Sequence, residues 1–193
     1  MRITGIRVAA IVLQLSFASA QGTMDARAPL GVGAEAELTM IRTIDDFARK
    51  YEQAGNKMAK GMVRHDRSNA LCRFGKSPLA QYRGVVSDWI GTISEMDAVS
   101  DGRGILAVRL SPRLSVATTN NDLSEMLGPP TLVPVVSAVH RVALALAVGQ
   151  AVRFSGTLFP YPVDCARETS LTVDGGMEDP SFLFRFTELH AIE

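Results

Sequence analysis

Ser137-Ala-Val-His-Arg-Val-Ala-Leu-Ala-Leu-Ala-Val-Gly149 runs directly into Gln150-Ala-Val-Arg-Phe-Ser-Gly-Thr-Leu-Phe159. The first half has a helical period: Val139, Val142, Ala143 and Leu146 share one stripe. Ser137 is placed to cap a helix over Ala138–Ala147, and Gly149 to stop it. The second half alternates, with Val152, Phe154 and Leu158 on one side, and predicts a strand over Ala151–Phe159. A short helix feeding a half-buried strand is the pivot of the reading.

Upstream of the pivot the chain is rich in strand patterns. Val85–Met96 reads as one long strand with Val85, Trp89 and Ile93 on a common side, and Gly91 as a bulge or bend. Asp97–Gly104 contains Asp101-Gly102 and reads as a turn. Ile105–Leu110 follows, with Leu106, Val108 and Leu110 on one face and Ala107 and Arg109 on the other. Pro112 breaks the pattern, and Leu114–Thr118 makes a third strand. Thr119–Asp122, Pro129, Pro130 and Pro134 predict an irregular polar loop. Downstream, Ser170–Val173 is a candidate short strand, Asp174-Gly175-Gly176 a turn, and Ser181–Leu189 the last strand, with Phe182, Phe184 and Phe186 in strict alternation.

Three strands, a helix, then two or three strands is the order of the OB-fold, a five-stranded Greek-key barrel. The expected class is therefore mainly β, with the helix between strands 3 and 4 plugging the barrel. Asp88-Trp-Ile-Gly-Thr-Ile93, Asp101-Gly-Arg-Gly104, Val148-Gly-Gln-Ala-Val-Arg-Phe-Ser-Gly156 and Ser170-Leu-Thr-Val173 carry a family resemblance as well. They resemble uncharacterised exported bacterial proteins of the OB-fold group named for its likeness to tRNA-anticodon-binding domains. The resemblance spans Tyr82–Leu189, with Val148 where the group has leucine. It implies the fold and no catalytic motif.

Residues 1–20 have the pattern of an export signal. Arg2 and Arg7 precede the apolar run Val8–Phe17, and Ala18-Ser-Ala20 offers a cleavage site before Gln21. That run is shorter than the roughly 20 apolar residues a bilayer span needs. The most apolar later stretch, Leu132–Val148, is interrupted by Pro134, His140 and Arg141, so no transmembrane segment is expected in the mature chain. Gln21 to about Leu38 has no period and reads as a flexible leader. An amphipathic helix is expected from a capping pattern at Thr43–Asp46, with Ile44, Phe47, Ala48, Tyr51, Gly55, Met58 and Met62 near one face. Cys72–Ala80, with Gly75 and Pro78, reads as a linker. The expected division is thus 1–20 signal, 21–80 leader and helix, and 81–193 barrel.

The chain has 193 residues, 47% of them hydrophobic, with 20 basic and 20 acidic side chains. Both basic residues of the signal would be removed, which leaves the mature chain slightly acidic. That balance argues against a general nucleic-acid binder and against a polybasic membrane binder. An exported chain with two cysteines, Cys72 and Cys165, predicts one disulfide. The localisation expected is periplasmic or secreted.

No catalytic constellation is legible. His65, His140 and His190 stand apart, and there is no Gly-x-Ser-x-Gly. No His or Cys pair has zinc-ligand spacing, and Glu95, Asp97 and Asp101 lack the alternation of a calcium loop. Asp164, Glu168, Asp174, Glu178 and Asp179 gather around the last two strands without a readable separation. No cofactor and no metal are expected. OB-folds bind along strands 2 and 3 and the adjoining loops, so fold analogy nominates Arg109, Arg113, Ser115, Thr119 and Tyr161 as ligand residues. The outward positions on those strands are small and polar, which disfavours base stacking. The reading is a non-enzymatic binding module for an envelope glycan, small molecule or protein. Two alternatives stand beside it: an adaptor acting through the Ile44–Met62 helix, and a hydrolase using carboxylates such as Asp164 and Glu168.

Overall fold

The computed structural model describes residues 32–76, 84–162 and 165–192. The signal, the leader up to residue 31, Tyr82 and Asp164 lie outside the described residues. Two long helices come first, α1 (Val32–Gln53) and α2 (Lys57–Lys76). The strands β1 (Val85–Ala98), β2 (Gly104–Ser111) and β3 (Leu114–Ala117) follow. Next come α3 (Asp122–Leu127), α4 (Ala138–Ala143), β4 (Ala151–Leu158), α5 (Val173–Glu178) and β5 (Ser181–Ala191).

The five strands form one mixed sheet that closes in a ring, in the order β1-β2-β3-β5-β4 and back to β1. All pairings are antiparallel except β3 with β5. The interior is filled from every strand by Trp89, Ile93, Leu106, Val108, Leu114, Val116, Val152, Phe154, Phe182 and Phe184. The inward residues expected for β2 to β5 are buried apart from the half-buried Leu110, but the alternation is not strict: Ala107, Ser115 and Leu183 are covered on the other face. "Mainly β" understates the molecule, because α1 and α2 alone contribute 22 and 20 helical residues.

β1 departs from its expected phase. Its pairing with β4 slips between Val86 and Trp89, and Asp88 takes a left-handed φ of 58°. This bulge points both Val86 and Trp89 inward and leaves Val85 exposed. A second slip, against β2, falls between Ile93 and Glu95. Gly91 is not the bulge. A Cβ there would stand 2.6 Å from the Arg109 carbonyl oxygen and 2.5 Å from the Val108 side chain, so glycine lets β2 close onto β1.

The expected single helix is two. α1 starts eleven residues before the proposed cap, and the Thr43 hydroxyl donates back to the Thr39 carbonyl inside it. The chain breaks at Ala54-Gly55-Asn56, and Asn56 accepts from the Ala59 amide to cap α2. Met40, Ile44, Ala48 and Tyr51 are buried, whereas Met58 and Met62 are 80% and 66% exposed. The apolar stripe therefore ends with α1. The supposed linker from Cys72 is in fact the last turn of α2 as far as Lys76.

α1 lies across the end of the ring where β1 and β5 begin and the β2–β3 turn sits. The Trp89 indole donates to the Gly33 carbonyl at 2.8 Å, and the Ser111 hydroxyl meets Asp45 at 3.4 Å. At the opposite end, α4 supplies Val139 to the same core. Ser137 caps α4 as expected, by accepting from the His140 amide at 3.1 Å. The helix stops at Ala143, earlier than the pattern implied, and turns carry the chain to Gly149 (φ 90°). Two short helices replace expected loops: α3, capped by Asn121, and α5, capped by Thr172, in place of the Ser170–Val173 strand and the Gly175-Gly176 turn.

Glu37 is the buried acid at the α1–β1 joint. Its side chain takes the Ile90 amide on both oxygens at 3.2 Å, and the residue is 9% exposed. Burial lifts its carboxyl from the ordinary 4.5 to about 7, although the Ile90 hydrogen bond and the Arg153 charge pull the other way. The unfolded chain therefore ionises first. Stability from this group is full below pH 4.5 and lost as pH rises to about 7. Glu37→Gln keeps an acceptor for Ile90 and removes the ionisation. It is expected to raise unfolding free energy at pH 8 by about 1–3 kcal/mol, with little change at pH 4. Urea denaturation at the two pH values checks this; equal pH dependence in both proteins would rule it out.

Candidate functional site

The five residues nominated by fold analogy do not converge. Arg109 reaches Asp179 at 3.1 Å and the Pro112 carbonyl at 3.0 Å. Arg113 forms a two-pronged contact with Glu52 of α1. That pair holds the Glu52 carboxyl below the usual carboxylate range and the Arg113 guanidinium above its own. Ser115 is buried, and its amide donates to the Pro180 carbonyl. Thr119 is buried in a polar knot, where its hydroxyl donates to Glu125 at 2.9 Å and its amide to Thr131 at 2.8 Å. These groups fasten the hairpin to its surroundings. Tyr161 is 46% exposed and stands elsewhere, in the segment after β4.

Tyr161 borders a cleft of about 370 Å³ between α2 and the β4–α5 segment. Its walls include Arg64 and Arg67 from α2 and Arg167, Glu168, Ser170 and Thr172 from the segment. Leu171, Val173 and Met177 supply apolar surface. The volume falls at the low end of the range of small-molecule sites, and the lining is more polar than is usual for them.

Three attachments hold the walls together. The Cys72–Cys165 disulfide joins α2 to the segment, across 93 residues of chain. Arg67, with a side chain 4% exposed, donates to the Gly176 carbonyl and pairs with Glu168, 15% exposed. The Tyr51 hydroxyl of α1 donates to Asp174 at 2.6 Å, with the Lys60 ammonium 4.4 Å from the Tyr51 ring centre. The hydrogen bond to the Asp174 carboxylate pushes the Tyr51 phenol up from its ordinary value.

Glycine is required at position 176 by a close approach, within a helix that Thr172 caps by accepting from the Gly175 amide. A Cβ at Gly176 would lie 2.7 Å from Glu168 Oε2. Glycine lets the Glu168 carboxylate approach α5 while the Gly176 carbonyl serves Arg67.

No protein-family model, curated protein or solved structure matches the chain. The site must therefore be read from its own chemistry. Among the described residues no group of His, Cys, Asp and Glu could hold a metal ion. No described helix is long and apolar enough to cross a membrane. What the cleft does hold is polar side chains: Arg64 from α2, the Arg67–Glu168 pair, and the hydroxyls of Tyr161, Ser170 and Thr172. The terminal nitrogens of Arg167 lie 3.5 and 3.6 Å from where a Cβ of Gly128 would stand. Sequence reasoning found Tyr161 and the disulfide but missed Arg64 and Arg67.

Proposed function

We propose that this protein is an exported, non-enzymatic binding module on an OB-fold-like ring, and that its ligand is a small molecule held between α2 and the β4–α5 segment. One observation carries the reading: a cleft of small-molecule size whose two walls are joined by a disulfide and a buried ion pair. Such fastening pre-organises a site and lowers the entropy cost of binding. The signal-like residues 1–20 support export, and the disulfide is compatible with it. The strand order with its parallel β3–β5 pair supports the OB-fold assignment and the likeness to exported OB-fold-like proteins.

The adaptor reading keeps only Met58 and Met62 as exposed apolar groups. Ile44, Ala48 and Tyr51 are buried within this chain. Of the two carboxylates the hydrolase reading names, Glu168 is held by Arg67 and Asp164 lies outside the described residues.

The full chain, produced in a host with a secretory pathway, is expected to accumulate outside the cytoplasm, oxidised and beginning at Gln21 by mass spectrometry. Its thermal unfolding against glycans, peptides, metal ions and small organic molecules should then shift with a small molecule. A ligand at one hundred times its Kd adds about 2.7 kcal/mol. A flat panel would count against the module, and a retained Met1 against export.

A further inference from the structure

The first turns of α1 are fastened to the ring chiefly by an acid. Met40 is the first deeply buried apolar residue of α1. Among the described residues 33–39, Glu37 alone is buried; Gly33, Ala34, Ala36 and Leu38 are half-buried and Glu35 is exposed. Two polar contacts tie this stretch to β1. The Trp89 indole donates to the Gly33 carbonyl, and the Ile90 amide donates to both Glu37 oxygens. The backbones also approach closely, since a Cβ on Gly33 would stand 2.0 Å from the carbonyl oxygen of Ser87, in the bulge of β1.

The acid is poorly served when charged. Among the described residues one amide reaches it, whereas a buried carboxylate needs several donors or a paired cation to offset its lost hydration. The positive charge acting on it is Arg153 of β4, which also lies 3.8 Å from Asp88 of β1. Glu188 of β5 belongs to the same cluster: it accepts from the Ser155 hydroxyl, which in turn accepts from the Asp88 amide.

We infer that residues 32–37 form a pH-sensitive latch over Trp89, closed on β1 while Glu37 keeps its proton and opening locally, with the ring intact, when Glu37 ionises. Opening returns the carboxylate to water, so the closed form holds the proton more tightly than the open form. Burial sets the closed value at about 7 against the ordinary 4.5. One proton is therefore released on opening between those values. Opening should become about tenfold more frequent per pH unit there, and level off outside them. Met40, Ile44, Ala48 and Tyr51 keep the rest of α1 docked.

Trp89 is the only tryptophan of the chain, so its indole N–H reports the latch directly. Hydrogen exchange of the folded, oxidised chain, followed by nuclear magnetic resonance and corrected for intrinsic rates, tests the inference. The Trp89 indole and Ile90 amide should open at least tenfold more often than the Ile93 and Thr118 amides, which are bonded within the ring. Their opening should rise about tenfold per pH unit between pH 5 and 7. Glu37→Gln should flatten that rise. Gly33→Ala drives a methyl into the Ser87 carbonyl and should leave the indole exchanging fast at every pH, with Ile93 and Thr118 still protected. Trp89 and Ile90 opening no more often than Ile93 and Thr118 would show that α1 leaves only with the ring, and would overturn the latch. So would an unchanged pH rise in Glu37→Gln, or slow indole exchange in Gly33→Ala.

Discussion

Phe154→Ala is expected to lower the unfolding free energy by about 3–5 kcal/mol, the upper range for a single core truncation. Phe154 is fully buried in β4 and sits among three other rings. Trp89 of β1 meets it edge-on at 6.4 Å, Phe184 of β5 edge-on at 5.5 Å, and Phe186 at a tilt at 5.5 Å. Its neighbours belong to the two strands that flank β4, so one side chain ties three members of the ring. A closed ring also has little freedom to collapse onto a void, and an unfilled cavity adds to the lost transfer energy. Equilibrium urea unfolding measures the cost. A loss under about 1 kcal/mol would mean that the interior is not packed as described.

The second large effect belongs to the disulfide. Replacing Cys72 and Cys165 with serine is expected to cost about 2–5 kcal/mol. The link spans 93 residues and so removes a long loop's entropy from the unfolded chain. It also has a local consequence. α2 is otherwise joined to that side of the cleft by the Arg67 contacts and by the Lys60–Asp174 pair at 3.9 Å, with Tyr51 of α1 also holding Asp174. Without the covalent tie the cleft walls should separate before the ring unfolds. Binding should therefore fail in reductant at temperatures where far-ultraviolet circular dichroism is still native. Intact affinity in the double variant would show that the walls hold without the bond.

The ring was legible because its pattern is local. Phe182, Phe184 and Phe186 alternate, as do Val152 and Phe154, and each pair of neighbours in space repeats the same period. β1 was misread in phase because a bulge at Ser87–Asp88 changes the count without leaving a glycine to mark it; Gly91 drew attention instead, for a different physical reason. The break between α1 and α2 did have a signal, since Gly55-Asn56 is a helix stop followed by a cap. It was masked by Met58 and Met62 falling on the helical period. α5 was invisible because Asp174-Gly175-Gly176 carries a turn pattern, whereas Thr172 caps a short helix there.

The cleft is non-local, so no window of sequence contains it. Arg67 and Glu168 are 101 residues apart. The disulfide offered the available clue. Arg67 precedes Cys72 by less than two helical turns and Glu168 closely follows Cys165, so pairing the cysteines brings these charges together. Arg109 and Arg113 misled because exposed strand arginines look free in sequence, whereas Asp179 and Glu52 arrive from distant elements to hold them.

That a ligand enters between α2 and the β4–α5 segment, and not along the β2–β3 hairpin, is most directly tested by amide chemical-shift mapping. The isotope-labelled, oxidised chain would be titrated with the ligand that gives the largest thermal shift. Saturable shifts confined to residues 64–67 and 165–177 are expected. Shifts centred on residues 105–119, with the cleft amides unmoved, would contradict the assignment.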